Sequence, residues 1–294
     1  MNDQNNPLAL SFEFFPPRNP EARGKLQTTR DRLAALHPDY FSVTFGAGGS
    51  TRDQTFETVV EIMDATGIEA APHFSCIGLP LENISETLKR YKDAGIRRIV
   101  ALRGDLPSGS IGSGPLRYAN ELVEFIRKET GDHFRIEVAA YPEVHPQAVG
   151  AREDLINFKR KVDAGADSAI TQYFYNPDAY FRFLDDCQKL GVDIPIIPGI
   201  MPIITCTQLL RFSEACGAEI PRWILKRLRD FGDDRVAIRE FGIDVTIKLC
   251  RDLLEGGAPG LHFYCMNQAE SSIAIWQALG LRDSGAAASA AVGV

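Results

Sequence analysis

The sequence predicts a single (β/α)8 barrel of the α/β class. Three observations carry the prediction. Short β-rich runs alternate with helical stretches, several of those runs are apolar at nearly every position, and one glycine-bearing junction recurs ahead of the strands. Alternating strands and helices build parallel sheets through βα crossovers. Near-continuous apolar runs suit strands covered on their outer face. About eight such units in roughly 280 residues is the size of this barrel.

The predicted strands are Leu8–Phe14, Tyr40–Phe45, Ile68–Phe74, Arg97–Leu102, Phe134–Ala140, Ser168–Tyr173, Ile194–Ile200 and Leu261–Tyr264. Helical spacing lies between them. Phe56, Val59, Val60 and Met63 recur at that spacing, as do Ile84, Leu88 and Tyr91. Leu155, Phe158 and Val162 continue the pattern, followed by Ile243, Ile247, Cys250 and Leu254. Such stripes pack against the sheet. Gly67, Gly95, Gly165, Gly191 and Gly257 each end a helical stretch shortly before a strand. Glycine there supplies a left-handed cap and turns the chain.

An open doubly wound sheet is the rival, but no G-x-G-x-x-G follows the first strand. Gly46-Ala47-Gly48-Gly49-Ser50 comes after the second strand with the wrong spacing. A helical insertion, Gly217 to Gly242, separates strands seven and eight, with Trp223, Leu225 and Leu228 on one side. Residues 1–282 read as one catalytic barrel domain. Asp283 to Val294, mostly Ala, Gly and Ser, reads as a disordered tail.

Hydrophobic residues make up 45% of the 294 and charged residues 24%, enough for a sizeable core. The formal net charge of −7 argues against a nucleic-acid protein held by a basic surface. Any anionic ligand must be held by local donors or cations. The six cysteines form no C-x-x-C pair and no zinc spacing, which reads as reduced thiols in a cytoplasmic protein. Met1 to Pro7 is polar and lacks a signal core. No apolar run approaches the ~20 residues of a membrane helix.

In a barrel, function collects where the strands end. The first ends Phe12-Glu13-Phe14-Phe15-Pro16-Pro17-Arg18. Glu13 among aromatics is expected to have a raised pKa and to donate a proton near neutral pH. It is equally readable as a strand carboxylate paired with Arg18. After the second strand's Thr44 and Phe45, the glycines of Gly46-Ala47-Gly48-Gly49 either expose backbone N–H groups to a ligand or form a flexible loop. His73 ends the third strand, a position more often structural than catalytic. Arg103-Gly104-Asp105 ends the fourth, where Asp105 favours a developing cation or braces the following loop.

The fifth strand enters Tyr141-Pro142-Glu143-Val144-His145-Pro146, whose prolines hold Tyr141 and His145 in place. The next helix carries Asp154, Asn157, Arg160 and Lys161, either a solvated face or cations for a phosphate. Gln172 ends the sixth strand and offers the donor and acceptor that a heterocyclic amide needs. No metal triad, nucleophile elbow or P-loop is present. This inventory suits a bound organic cofactor that performs the hard step while the protein orients and protonates.

Read in order, these strand ends resemble the bacterial-type methylenetetrahydrofolate reductase family. The resemblance runs from about Leu8 to Leu281 and rests on four motifs. These are Phe12-Glu13-Phe14-Phe15-Pro16-Pro17, Arg103-Gly104-Asp105-Leu106-Pro107, Tyr141-Pro142-Glu143-Val144-His145-Pro146 and Lys159-Arg160-Lys161-Val162-Asp163-Ala164-Gly165-Ala166, with Thr171-Gln172 following.

The resemblance implies a barrel with non-covalent FAD. It implies ping-pong reduction of 5,10-methylenetetrahydrofolate to 5-methyltetrahydrofolate by NAD(P)H, in a homo-oligomer. It makes Glu13 the general acid and Asp105 the carboxylate near flavin and pterin. Gln172, Phe212, Thr44 and Gln268 become substrate contacts. Phe45, Ala47, His73, Arg103, Gly104, Asp105, Tyr118, Ala119, Tyr141, His145, Asp154, Asn157, Arg160 and Lys161 become cofactor contacts. This chain departs at Met266-Asn267-Gln268, where the family often has an Arg, and in a longer Ser108–Pro115 loop. The alternatives are a flavin-free pterin-binding barrel methyltransferase and a silent folate- or flavin-binding module.

Overall fold

The computed structural model describes residues 7–46, 51–104 and 114–282. The predicted tail, Ala47 and Asp105 lie outside the described residues. Elements run β1 (Ala9–Phe14), α1 (Pro20–Ala34), β2 (Tyr40–Val43), α2 (Arg52–Thr66), β3 (Glu69–Ser75), α3 (Leu81–Asp93) and β4 (Arg98–Leu102). They continue α4 (Ala119–Thr130), β5 (Arg135–Ala140), α5 (Ala151–Asp163), β6 (Ser168–Thr171), α6 (Pro177–Lys189), β7 (Ile196–Ile197) and β8 (Gly199–Ile200). The chain then forms α7 (Cys206–Cys216), α8 (Arg222–Asp230), α9 (Arg235–Glu255), β9 (Gly260–Tyr264) and α10 (Glu270–Ala278).

Every strand pairing is parallel, in the order β7-β6-β5-β4-β3-β2-β1-β9-β8. The two ends of that order are neighbours in sequence, so the sheet closes into a barrel. The predicted seventh strand, Ile194–Ile200, is therefore two short strands. Pro198 lies between them and has no N–H for a ladder. The half before it pairs with β6, the half after it with β9. The Gly199 N–H donates to Thr171 Oγ1 at 2.9 Å, so a side chain bridges the kink.

The five junction glycines all take positive φ, from 68° at Gly67 to 109° at Gly165, as their place before the strands requires. The predicted second and sixth strands run two residues past the regular strands, although Thr44 and Gln172 each still donate one backbone hydrogen bond to the neighbouring strand, at 2.9 and 2.8 Å. The insertion is helical but does not stop at Gly242. That residue lies inside α9, against the Ile203 carbonyl. In α8 the inward pair is Ile224 and Leu228, while Trp223 is 56% exposed and meets Phe241 edge-on. A helix turns about 100° per residue, so Trp223 cannot share the Leu228 face.

Strand side chains alternate between two cores. Leu10, Phe12, Phe14, Phe41, Phe74 and Phe263 face outward into the helix-covered core. The barrel lumen is layered. At its base, Glu137 accepts from Tyr40 at 2.6 Å and from Arg98 at 2.9 Å, and Arg98 also reaches Glu69 at 3.0 Å. Above lies a small apolar layer of Ala71, Val100 and Ile170. Above that, where the strands end, sit Glu13, His73 and Gln172. Among the described residues, no helix is long and apolar enough to cross a membrane.

Candidate active site

Two adjoining cavities open where the strands end. The first, about 430 Å³, is lined by Glu13, Phe15, His73, Tyr141, His145, Gln172, Phe212, Tyr264 and Met266, among others. The second, about 360 Å³, is lined by Arg103, Gly104, Tyr118, Ala119, Tyr141, His145, Asp154, Asn157 and Lys161, among others. Leu102, Ala139, Tyr141, His145 and Gln147 form their common wall.

Glu13 is 8% exposed at the base of the first cavity. Its Oε2 lies 3.2 Å from His73 Nε2 and 3.8 Å from His262 Nε2. Both contacts are charge contacts rather than well-formed hydrogen bonds, the one to His262 being too long for a hydrogen bond. Behind it, His262 Nδ1 is 2.7 Å from Ser11 Oγ. Burial alone pushes the Glu13 pKa up, but contacts with His262 and His73 outweigh it and hold the carboxyl at about 2.

That overturns the expected rise. The aromatics beside Glu13 in sequence, Phe12 and Phe14, point to the opposite face of the strand. Its spatial neighbours are the histidines. Arg18 is not its partner either, since it lines a separate groove with Arg23 and Glu57.

Gln172 continues the ladder, its N–H donating to the Ala140 carbonyl at 2.8 Å, which aims the side chain into the first cavity. Its Oε1 accepts from the Tyr173 N–H at 3.0 Å. Phe212 reaches the same cavity from α7. The Tyr264 hydroxyl donates to the Thr171 carbonyl at 2.7 Å, which fixes the ring in the wall.

In the second cavity the Lys161 ammonium donates to the Ala139 carbonyl at 2.5 Å, and burial pushes its pKa down to about 8. Arg103 donates to Gln147 Oε1 at 2.5 Å. Asp154 accepts from the His145 N–H at 2.9 Å and so ties α5 to the loop before it. Gly104 has φ +87°, and a Cβ there would lie 1.9 Å from Ser75 Oγ. Only glycine allows the chain to pass the end of β3 so closely.

The structure thus brings together most of the residues expected at the site. Thr44 and Phe45 do not line either cavity. The Thr44 carbonyl accepts from Thr55 at 2.8 Å, and Phe45 packs edge-on to Phe74. Arg160 is exposed and donates to Asn157 at 2.7 Å. Gln268 is exposed before α10, outside both cavities, and Met266 is the residue of that turn in the first. Sequence reasoning missed His262, Tyr264 and Gln147. Alternation would have found the first two. Ser11 and Glu13 face the lumen, and β9 pairs them with His262 and Tyr264.

A sequence profile described as methylenetetrahydrofolate reductase matches residues 2–280. The chain belongs to the methylenetetrahydrofolate reductase family. It is 44% identical over 275 residues to the 5,10-methylenetetrahydrofolate reductase of Escherichia coli K12, covering 94% of this chain and 92% of that one. It is 40% identical to methylenetetrahydrofolate reductase (NADH) 1 of Zea mays, spanning 93% of this chain but 48% of the maize protein. A solved Clostridium thermocellum protein that binds two copies of 5-methyl-5,6,7,8-tetrahydrofolic acid shares the fold. Its TM-score is 0.67 at 18% identity, with 93% of this chain and 94% of that chain covered.

Proposed function

We propose that this chain reduces 5,10-methylenetetrahydrofolate to 5-methyltetrahydrofolate, with NAD(P)H as reductant and FAD as the resident carrier. The nicotinamide and the folate take turns in the first cavity. The observation that carries this reading is the cavity pair itself. An apolar pocket with one buried carboxylate and an amide adjoins a pocket lined by cations.

The second cavity fits a dinucleotide. Lys161 presents a half-buried ammonium whose charge desolvation disfavours, only partly offset by Asp154, so a further anion beside it is favoured. Arg103 and Asn157 add donors for phosphate or ribose, and Gly104 lets the backbone come close. When bound, the flavin supplies the hydride. The protein's own residues manage the proton.

Glu13 is ionised in the open site. A pterin ring over it removes solvent and raises its pKa, so a proton can sit on Oε2 beside His73 and His262. Glu13 then protonates a nitrogen of the methylene bridge, the bridge opens, and an iminium cation forms on the folate. Gln172 orients the pterin amide edge, and Phe212 and Tyr264 flank the ring plane. Asp105 lies outside the described residues; in this reading, which rests on the family resemblance, its carboxylate favours that cation, and Asp105→Asn raises the flavin's reduction potential.

A spectrum of the purified protein tests the proposal. We expect a flavin band that anaerobic NADH or NADPH bleaches and that methylenetetrahydrofolate restores, with 5-methyltetrahydrofolate as product. A colourless protein that takes up no FAD overturns it and returns the flavin-free methyltransferase as the better reading.

A further inference from the structure

Among the described residues, the lining of the first cavity contains no lysine or arginine. A folate ends in a glutamate whose two carboxylates are ionised at neutral pH. With a net charge of −7, the protein offers the tail no global attraction. A cation at the rim would meet that charge locally.

The turn after β9 supplies none. Asn267 is occupied on both sides of its amide, accepting from the Phe15 N–H at 2.8 Å and donating to the Phe15 carbonyl at 3.0 Å. Gln268 is exposed, uncharged and outside the cavity. Arg18, another rim cation, belongs to a different groove with Arg23 and Glu57.

Arg211 is differently placed. It lies on α7, one turn before Ala215, which lines the first cavity. Its guanidinium carbon sits 5.0 Å from the centroid of the Phe212 ring, and Phe212 lines that cavity as well. Arg211 is exposed, and that ring is its interaction among the described residues, with no carboxylate paired to it. Stacking uses the face of a guanidinium and leaves its N–H fork available for two carboxylate oxygens.

We propose that Arg211, held against Phe212, is the cation that receives the glutamate carboxylates of the folate. This rests on the folate reading above and adds to it the residue that recognises the tail. The stacked pair works as a unit: the Phe212 ring meets the flat part of the substrate, and the guanidinium beside it meets the acid.

The test uses the FAD-loaded enzyme with Arg211→Ala and Arg211→Lys, and two substrates. One is methylenetetrahydrofolate; the other is the matching methylenetetrahydropterin without the glutamate. Arg211→Ala should raise KM for the glutamate-bearing substrate roughly five- to tenfold at unchanged kcat. KM for the tail-less substrate and reduction of the flavin by nicotinamide should stay as in the wild type. Arg211→Lys should fall between. High salt should bring the wild type toward the alanine variant, because exposed charge pairs are screened.

Equal KM changes for both substrates, or no change for either, overturn the assignment while leaving the folate reading intact. A wild-type enzyme that holds FAD, oxidises NAD(P)H and reduces neither pterin overturns both. An unchanged melting temperature in Arg211→Ala excludes misfolding as the cause of a KM effect.

Discussion

The two cavities share a wall and differ in almost everything else. The first is walled by β1, β3, β4, β5, β6, β9 and α7, and it holds one buried carboxylate between two imidazoles. The second is walled by β4, β5, α4 and α5, and it holds a half-buried ammonium and a guanidinium. The first suits a flat, weakly charged ring that needs a proton. The second suits the anionic part of a larger ligand. A molecule that spans them has one orientation of low energy, because reversing it would set phosphate against Glu13. Negative and positive charge are thus separated on one rim.

The contrast breaks most severely at Glu13. Glu13→Gln keeps shape but loses the proton, so folate turnover should fall roughly 10²- to 10⁴-fold while NAD(P)H still bleaches the flavin. Stopped-flow measurement of the two half-reactions checks this. Folate reduction at the wild-type rate would remove Glu13 from the chemistry.

Gly104→Ala attacks the wall of the second cavity. Its positive φ and the contact with Ser75 should cost about 1–3 kcal/mol in a urea melt. A neutral result would mean that the turn relaxes freely.

Lys161→Met sharpens the comparison because its two effects have opposite signs. Without FAD, the variant should be at least as stable as the wild type below pH about 8, where the buried charge is penalised. With FAD, affinity should drop by about tenfold, read by quenching of flavin fluorescence. Equal affinity would place the phosphates elsewhere.

The stability profile in acid isolates the first cavity. The Glu13 pKa is depressed from 4.5 to about 2 in the fold, so its contribution is complete above 4.5 and fades as pH falls toward 2. Urea midpoints across that window should fall less steeply in Glu13→Gln than in the wild type. Parallel profiles would mean that the histidines do not hold the carboxylate. Phe212→Ala should have the smallest effect, a roughly two- to tenfold rise in folate KM with FAD binding untouched.

Much of the site was legible because barrel strands deliver their last residues to one rim. Glu13, Arg103, Tyr141 and Gln172 are each at or just past a strand end, so their convergence follows from topology. The charge state of Glu13 was not legible. Reading Phe12 and Phe14 as its surroundings ignored the two-residue period of a strand, which sends them to the outer core. Gln147 was missed for another reason. It lies on a loop, where no period says which way a side chain points.

The sequence by itself determined the number and order of the units, the glycine turns that return each helix to the sheet, and the family. Those depend on local conformational preference and on apolar spacing, which are properties of neighbouring residues. Tertiary structure alone decided how the barrel closes across Pro198, that His73 and His262 flank Glu13, and that Tyr141 and His145 stand in a wall between two adjoining cavities. Each depends on distances between residues far apart in the chain. A pKa or a cavity wall is set by those distances, whatever the adjacent letters are.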